Sequence, residues 1–297
     1  MRKLLPLLLM LLASAVLFAS GAPEEEMESE SASPYEGMEL VVSTWGFNMD
    51  LIEENLTKPF EEMYGVDVIY ETGNNADRFT KLAARKDNPN VDVVHFAGNW
   101  AHRASEEGLL QPYDPLKMDN LGALYTWAGD PLGNQHAVGY AVISYGLAYR
   151  TDQAESEFTS WNDLSNPEFD GYVSIPDITT TFGPATVVMM AAANGGGINN
   201  VEPGWEALEE LSDNLVTIYR RSSELVSLIQ QEEVWAAPYT SFSWGSIDAI
   251  GLPIEPIIPE EGLVGSMSMA GIVNGTDKVD LAHEYLNWIL AVDVQES

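Results

Sequence analysis

The chain has 297 residues, 45% hydrophobic and 10% aromatic, the composition of a globular protein with a sizeable core. It has no cysteine, which excludes disulfides, thiolate metal sites, a cysteine nucleophile and a lipid-modified cysteine, and leaves stability to the hydrophobic core. All 46 acids but only 11 of the 13 basic residues lie beyond residue 22, a net charge of −35 there, and so few Lys and Arg exclude a nucleic-acid-binding surface.

Arg2 and Lys3 precede an apolar run, Leu4 to Phe18, and small residues follow at Ala19-Ser20-Gly21-Ala22. This pattern predicts a cleaved export signal over 1–22, because the run is short of the roughly 20 residues a spanning helix needs. Residues 23–37 are rich in Glu and Ser and predict a disordered acidic tether. The acids continue along the whole chain, which reads as a solvated surface of the kind salt screens, more than as a sink for cations.

From Met38 onward, apolar runs alternate with helical periodicity. Strands are expected at 39–44, 66–70, 91–94, 138–149, 172–175, 234–238 and 263–273. Helices are expected at 51–64, 78–86, 101–107, 183–193, 205–212, 223–231 and 279–290. The strand–helix alternation starts, continues into a second set and returns, which predicts an α/β chain of two lobes with a cleft between them.

No catalytic constellation stands out. His95, His102, His136 and His283 show neither the i,i+4 pair nor the carboxylate partner of a zinc site, and His95 reads as a packed histidine. There is no G-x-S-x-G elbow, and Gly195-Gly-Gly197 follows a helix, so it reads as a stop. A glycosidase-like pair of acids stays open in so acidic a chain. Aromatics at strand ends are more informative: Trp45 and Phe47 follow the first strand, Trp100 the third, and Tyr239, Phe242 and Trp244 a later one. Loops at the carboxyl ends of strands line the crevice of an open α/β sheet, so these three predict a ligand cleft. The hydroxyl run Thr179-Thr180-Thr181 before a helix would either cap that helix or meet a ligand. Arg220 and Arg221 would either clamp a carboxylate or pair with one of the many acids.

Taken in order, several segments resemble the solute-binding proteins of ABC importers, in particular the branch with spermidine/putrescine binders and their ferric-iron and thiamine relatives. They are Thr44-Trp45-Gly46, Lys58-Pro-Phe-Glu-Glu with Gly65, Val91-Asp-Val-Val94, Glu107-Gly-Leu-Leu with Asp114, Tyr140 to Arg150, and Ser160-Trp-Asn-Asp-Leu164. The resemblance runs from about Leu40 to Glu296. It implies a two-lobed periplasmic-binding-protein fold of type II, each lobe a doubly wound sheet, with lobe 1 at 38–144 and 240–290 and lobe 2 at 145–239. Residues 291–297 would be a shortened return to lobe 2. It further implies a monomeric, non-enzymatic periplasmic protein that is not a lipoprotein, carries no cofactor or metal, captures a small molecule and docks transiently on an ABC permease of the inner membrane. The ligand wall would comprise Trp45, Asn48, Asn99, Trp100, Tyr140, Thr181 and Tyr239, to which the hydroxyl run and the basic pair add Thr180 and Arg221 as candidates. Polyamine binders of the family place acids where this chain has Ile178, Thr181 and Ser268, and iron binders use adjacent tyrosines that this chain lacks. The expected solute is therefore a small polar organic molecule. A polyamine, an amino-acid-like carboxylate, thiamine and ferric iron are the alternatives within the class, and a secreted hydrolase the alternative outside it.

Overall fold

A computed structural model describes residues 33–296. The expected export signal and the tether up to residue 32 lie outside the described residues. Tyr35, within the expected tether, already belongs to the fold: its ring packs on Tyr64, with centroids 6.1 Å apart, and Gly37 donates to the Gly65 carbonyl.

The strands are β1 (Glu39–Thr44), β2 (Asp67–Thr72), β3 (Val93–Ala97), β4 (Leu110–Gln111), β5 (Val138–Arg150), β6 (Val173–Pro176), β7 (Leu215–Tyr219), β8 (Ala236–Thr240), β9 (Ile254–Ile257) and β10 (Val264–Val273). They form one continuous sheet in the order β2-β1-β3-β10-β5-β8-β6-β7, with β4 beside β10 and β9 beside β5. At one end β1, β2 and β3 run parallel; at the other β6 runs parallel to both β7 and β8. The antiparallel pair β5 and β10 connects the two parallel sets. Two doubly wound lobes were expected; the lobes are there as two parallel sets, but their sheets are continuous through this shared pair.

The burial along β5 shows where one lobe ends. Val138 and Gly139 are buried, Ala141 and Val142 are exposed, and Tyr145 to Arg150 are buried again. The first core gathers Leu40, Val42, Phe60, Val93, Ile272 and Leu286; the second gathers Tyr145, Trp161, Phe169, Val173 and Met190. Each such side chain contributes about 1.5–3 kcal/mol by leaving water, so each lobe has its own reason to stay folded. The segment 241–263, expected in lobe 1, packs with lobe 2 instead: Trp244, Ile247 and Ile254 join Leu225 and Ile229. The return crossing is therefore the half-buried start of β10, because a long strand facing β5 can change lobes without a separate linker.

Helix boundaries differ from expectation by a few residues for local reasons. The helix expected at 78–86 is Asn75–Ala84, since the Asn74 side chain caps it by accepting from Asp77 N at 2.8 Å. The helix expected at 101–107 is Gly98–Glu106, which begins directly at the end of β3. β7 and β9 were not expected; β7 alternates half-buried and exposed residues, and β9 is a short edge carrying Pro256.

Candidate ligand cleft

In the first lobe the carboxyl ends of β1, β2 and β3 lie along one edge. β1 leaves the sheet through Gly46, whose φ is +71° and whose missing Cβ would stand 2.8 Å from that of Thr72. A glycine is required there on both counts, and the turn lays the Trp45 ring over the Arg78 guanidinium, 5.0 Å from the ring centroid. Arg78 is 1% exposed. Its Nε donates to Gly73 O at 2.9 Å, its Nη1 to Ser43 O at 3.2 Å and to His95 O, and its Nη2 to Asn75 Oδ1 at 3.0 Å. Burial lowers the Arg78 pKa to about 10, which leaves the group charged at neutral pH. Asn75 is fixed in turn: Oδ1 also accepts from Ala97 N at 3.3 Å, so its amide nitrogen points outward.

His95, central in β3, has both ring nitrogens engaged, Nδ1 with Tyr140 Oη at 2.9 Å and Nε2 with Tyr285 Oη at 3.2 Å. Burial, and then the nearby Arg78 charge, push its pKa down to about 3, so the ring is neutral. Tyr140 reaches His95 because it is the extra residue of a β-bulge: Ser268 pairs with Ala141 and Met269 with Gly139, skipping Tyr140. Burial raises the Tyr140 pKa and keeps its hydroxyl protonated.

In the second lobe the equivalent edge follows β6, β7 and β8. After β6, Asp177 accepts from Thr179 N at 2.9 Å and Thr179 Oγ1 at 2.7 Å, and from Arg220 Nε at 3.0 Å. The Thr179 hydroxyl first, then its N–H and Arg220, hold the Asp177 carboxyl down at about 2. Thr180 Oγ1 accepts from Gly183 N at 3.1 Å, which covers one free N–H at the start of the helix Gly183–Ala193. Thr181 is left to face the other lobe.

Two contacts bring the edges together. Asn75 Nδ2 donates to Thr181 Oγ1 at 2.8 Å, and the rings of Phe47 and Phe242 meet edge to face with centroids 5.4 Å apart. Each joins a residue shortly after a strand of lobe 1 to a residue shortly after a strand of lobe 2, so the cleft lies where the strand ends converge.

The expected wall residues fall into three groups. Trp45, Tyr140 and Thr181 lie in or against the network just described, with Thr180 capping beside them. Asn48 is exposed in a left-handed turn with φ +53°, and Asn99 is exposed in the first turn of Gly98–Glu106. The other three turn to local partners or to solvent: Trp100 packs on Phe79, Tyr239 on Trp244, and Arg221 is exposed at the start of the helix Ser222–Gln230. Ser268 is buried beside Tyr140, and Ile178 is half exposed. Asn75 and Arg78 were not expected. The only signal for Arg78 was the rarity of basic residues; Asn75 sits in a polar turn that pattern alone reads as a loop.

The sequence profile of the bacterial extracellular solute-binding proteins matches residues 55–297. The chain belongs to this family. A structure described as an ABC transporter from Clostridium perfringens is 33% identical, with 86% of this chain and 81% of that one covered at a TM-score of 0.68. The periplasmic binding protein AfuA from Actinobacillus pleuropneumoniae, with fructose-6-phosphate bound, shares the fold at a TM-score of 0.74 and 22% identity, covering 87% and 81%. Spermidine/putrescine-binding periplasmic protein 1 of Haemophilus influenzae is 22% identical over 302 residues, all of this chain and 82% of that one. The family resemblance expected from the strand-end motifs therefore holds, as does the two-lobed solute-binding fold.

Proposed function

We propose that this solute-binding protein captures a small polar organic molecule in the cleft between its lobes and presents it to a membrane permease. The observation that carries this is the meeting of the two strand-end edges at Asn75–Thr181 and Phe47–Phe242. A ligand there would have the Trp45 face, the Tyr140 hydroxyl and the Thr181 hydroxyl around it, with Thr180, Asn48 and Asn99 at its rim; Trp100, Tyr239 and Arg221, turned to local partners or to solvent, fall outside it. Such a site binds by enclosure: aromatic faces supply area and hydroxyls supply orientation. Relatives that are periplasmic binding proteins support a periplasmic location; a monomer that binds without a cofactor and without enzymatic turnover belongs to the same proposal.

The polyamine reading is favoured by the names of relatives in Haemophilus influenzae and Salmonella typhimurium, both spermidine/putrescine-binding. Against it, the carboxylate at the second edge, Asp177, is already taken by Thr179 and Arg220. Thermal shift against polyamines, amino acids, thiamine, ferric chelates and carboxylates tests the function. One class should raise the melting temperature, and Trp45→Ala should abolish the rise. A panel without any shift, or a shift that survives Trp45→Ala, would overturn the cleft. Turnover of a chromogenic glycoside would favour the hydrolase instead.

A further inference from the structure

We infer that the cleft is built for an anionic solute, a carboxylate or phosphate, with the buried Arg78 supplying the positive field and Asn75 carrying it to the ligand. This rests on the cleft being the binding site. It begins from a charge that the protein does not balance. Arg78 is buried, and four of its five N–H groups go to three carbonyls and an amide oxygen, all neutral. Among the described residues no carboxylate is within ion-pair distance of it. Glu71, the acid that acts on it from further off, is bound to Arg85 at 2.7 Å. The flat faces of the guanidinium are covered by Trp45 and Phe96, at 5.0 and 5.1 Å to the ring centroids. A buried cation left without a counter-charge is costly to keep, and Asn75, which accepts from Arg78 and donates to Thr181, leads from it to the cleft.

Asn75 gives that field a direction. Its oxygen is held by Arg78 and Ala97 N, so the group offered across the cleft is an N–H₂ donor, now resting on Thr181 Oγ1. An oxyanion can take that donor, together with the Thr181 hydroxyl once it is released; an ammonium group meets a donor and a like charge. The second edge agrees, because its carboxylate, Asp177, is already occupied by Thr179 and Arg220. Acids do flank the cleft: Asp50, Asp77 and Asp248 are exposed on neighbouring turns, where water screens them.

Calorimetric titration with succinate, inorganic phosphate, putrescine and spermidine separates the possibilities, using the full chain and the variants Asn75→Asp, Asn75→Ala and Trp45→Ala. Wild type should bind one of the two oxyanions and neither amine. Asn75→Asp keeps the acceptor for Arg78 and Ala97 N but supplies the missing counter-charge. It should weaken oxyanion binding by roughly 10- to 100-fold, the effect of a unit charge a few ångströms away in a partly screened site. Asn75→Ala removes the donor without adding charge and should lose less. Tighter binding of putrescine or spermidine than of either oxyanion overturns the inference, as does oxyanion affinity equal in Asn75→Asp and Asn75→Ala. Polyamine binding that Trp45→Ala abolishes leaves the solute-capture reading standing while this inference falls; binding of none of the four probes overturns it as well.

Discussion

His95 makes stability depend on pH in a window that few other groups reach. The ring is 5% exposed, and its two nitrogens meet the hydroxyls of Tyr140 and Tyr285. A second proton on the ring would require both hydroxyls to accept and would place a cation near Arg78. The folded pKa is accordingly about 3, against 6.5 for an ordinary histidine. Below pH 6.5 the unfolded chain takes up a proton that the folded chain refuses, so protons favour unfolding. The contribution is intact above pH 6.5 and is lost as pH falls toward 3. At 1.36 kcal/mol per unit, going from pH 6.5 to 5.0 costs about 2 kcal/mol. For a chain of this size that is about 4–8 °C in melting temperature. The contribution of Asp177, whose carboxyl is held near 2 by the Thr179 hydroxyl and N–H and by Arg220, is lost only below about pH 4 and stays outside this window. Urea unfolding at pH 7.5, 6.5, 5.5 and 5.0 should show the wild type losing about 2 kcal/mol more than His95→Gln, whose amide can still donate and accept. Parallel pH profiles for the two proteins would refute the assignment.

Gly46→Ala should destabilise by roughly 1–3 kcal/mol in denaturant unfolding, since alanine meets both a left-handed φ and the Thr72 side chain; a loss below a few tenths would show that the turn relaxes freely. Thr181→Val removes the acceptor of the interlobe bond at little cost in volume. Small-angle scattering of the ligand-free protein should then show a larger radius of gyration, and an unchanged radius would mean that this bond does not hold the lobes together.

The alternation of strands and helices was legible because it reflects burial on two faces of a parallel sheet, and it carried the fold and the family. The return crossing was not legible. Residues 241–263 contain Trp244, Ile247 and Ile254, apolar residues that either lobe would accept, and only the pairing of β10 with β5 decides which one does. In the cleft, Trp45 was legible from its place after an apolar strand. Asn75 and Arg78 were not, because their role comes from three bonds between distant parts of the chain, Arg78 to the carbonyls of β1 and β3 and Asn75 to Thr181 in the other lobe. Nor could the sequence separate Trp100 from Trp45, since both follow strands. What distinguishes them is that the Trp100 ring lies against Phe79 and Arg103 on its own side of the sheet.

The central claim is that a solute is held between the lobes. A crystal structure of the chain with the compound that gives the largest thermal shift tests it most directly. That compound should be enclosed between Trp45 and Tyr140 on one side and Thr181 on the other. Density for it on the outer face of a single lobe, with Asn75 still bonded to Thr181, would show that no solute is held between the lobes.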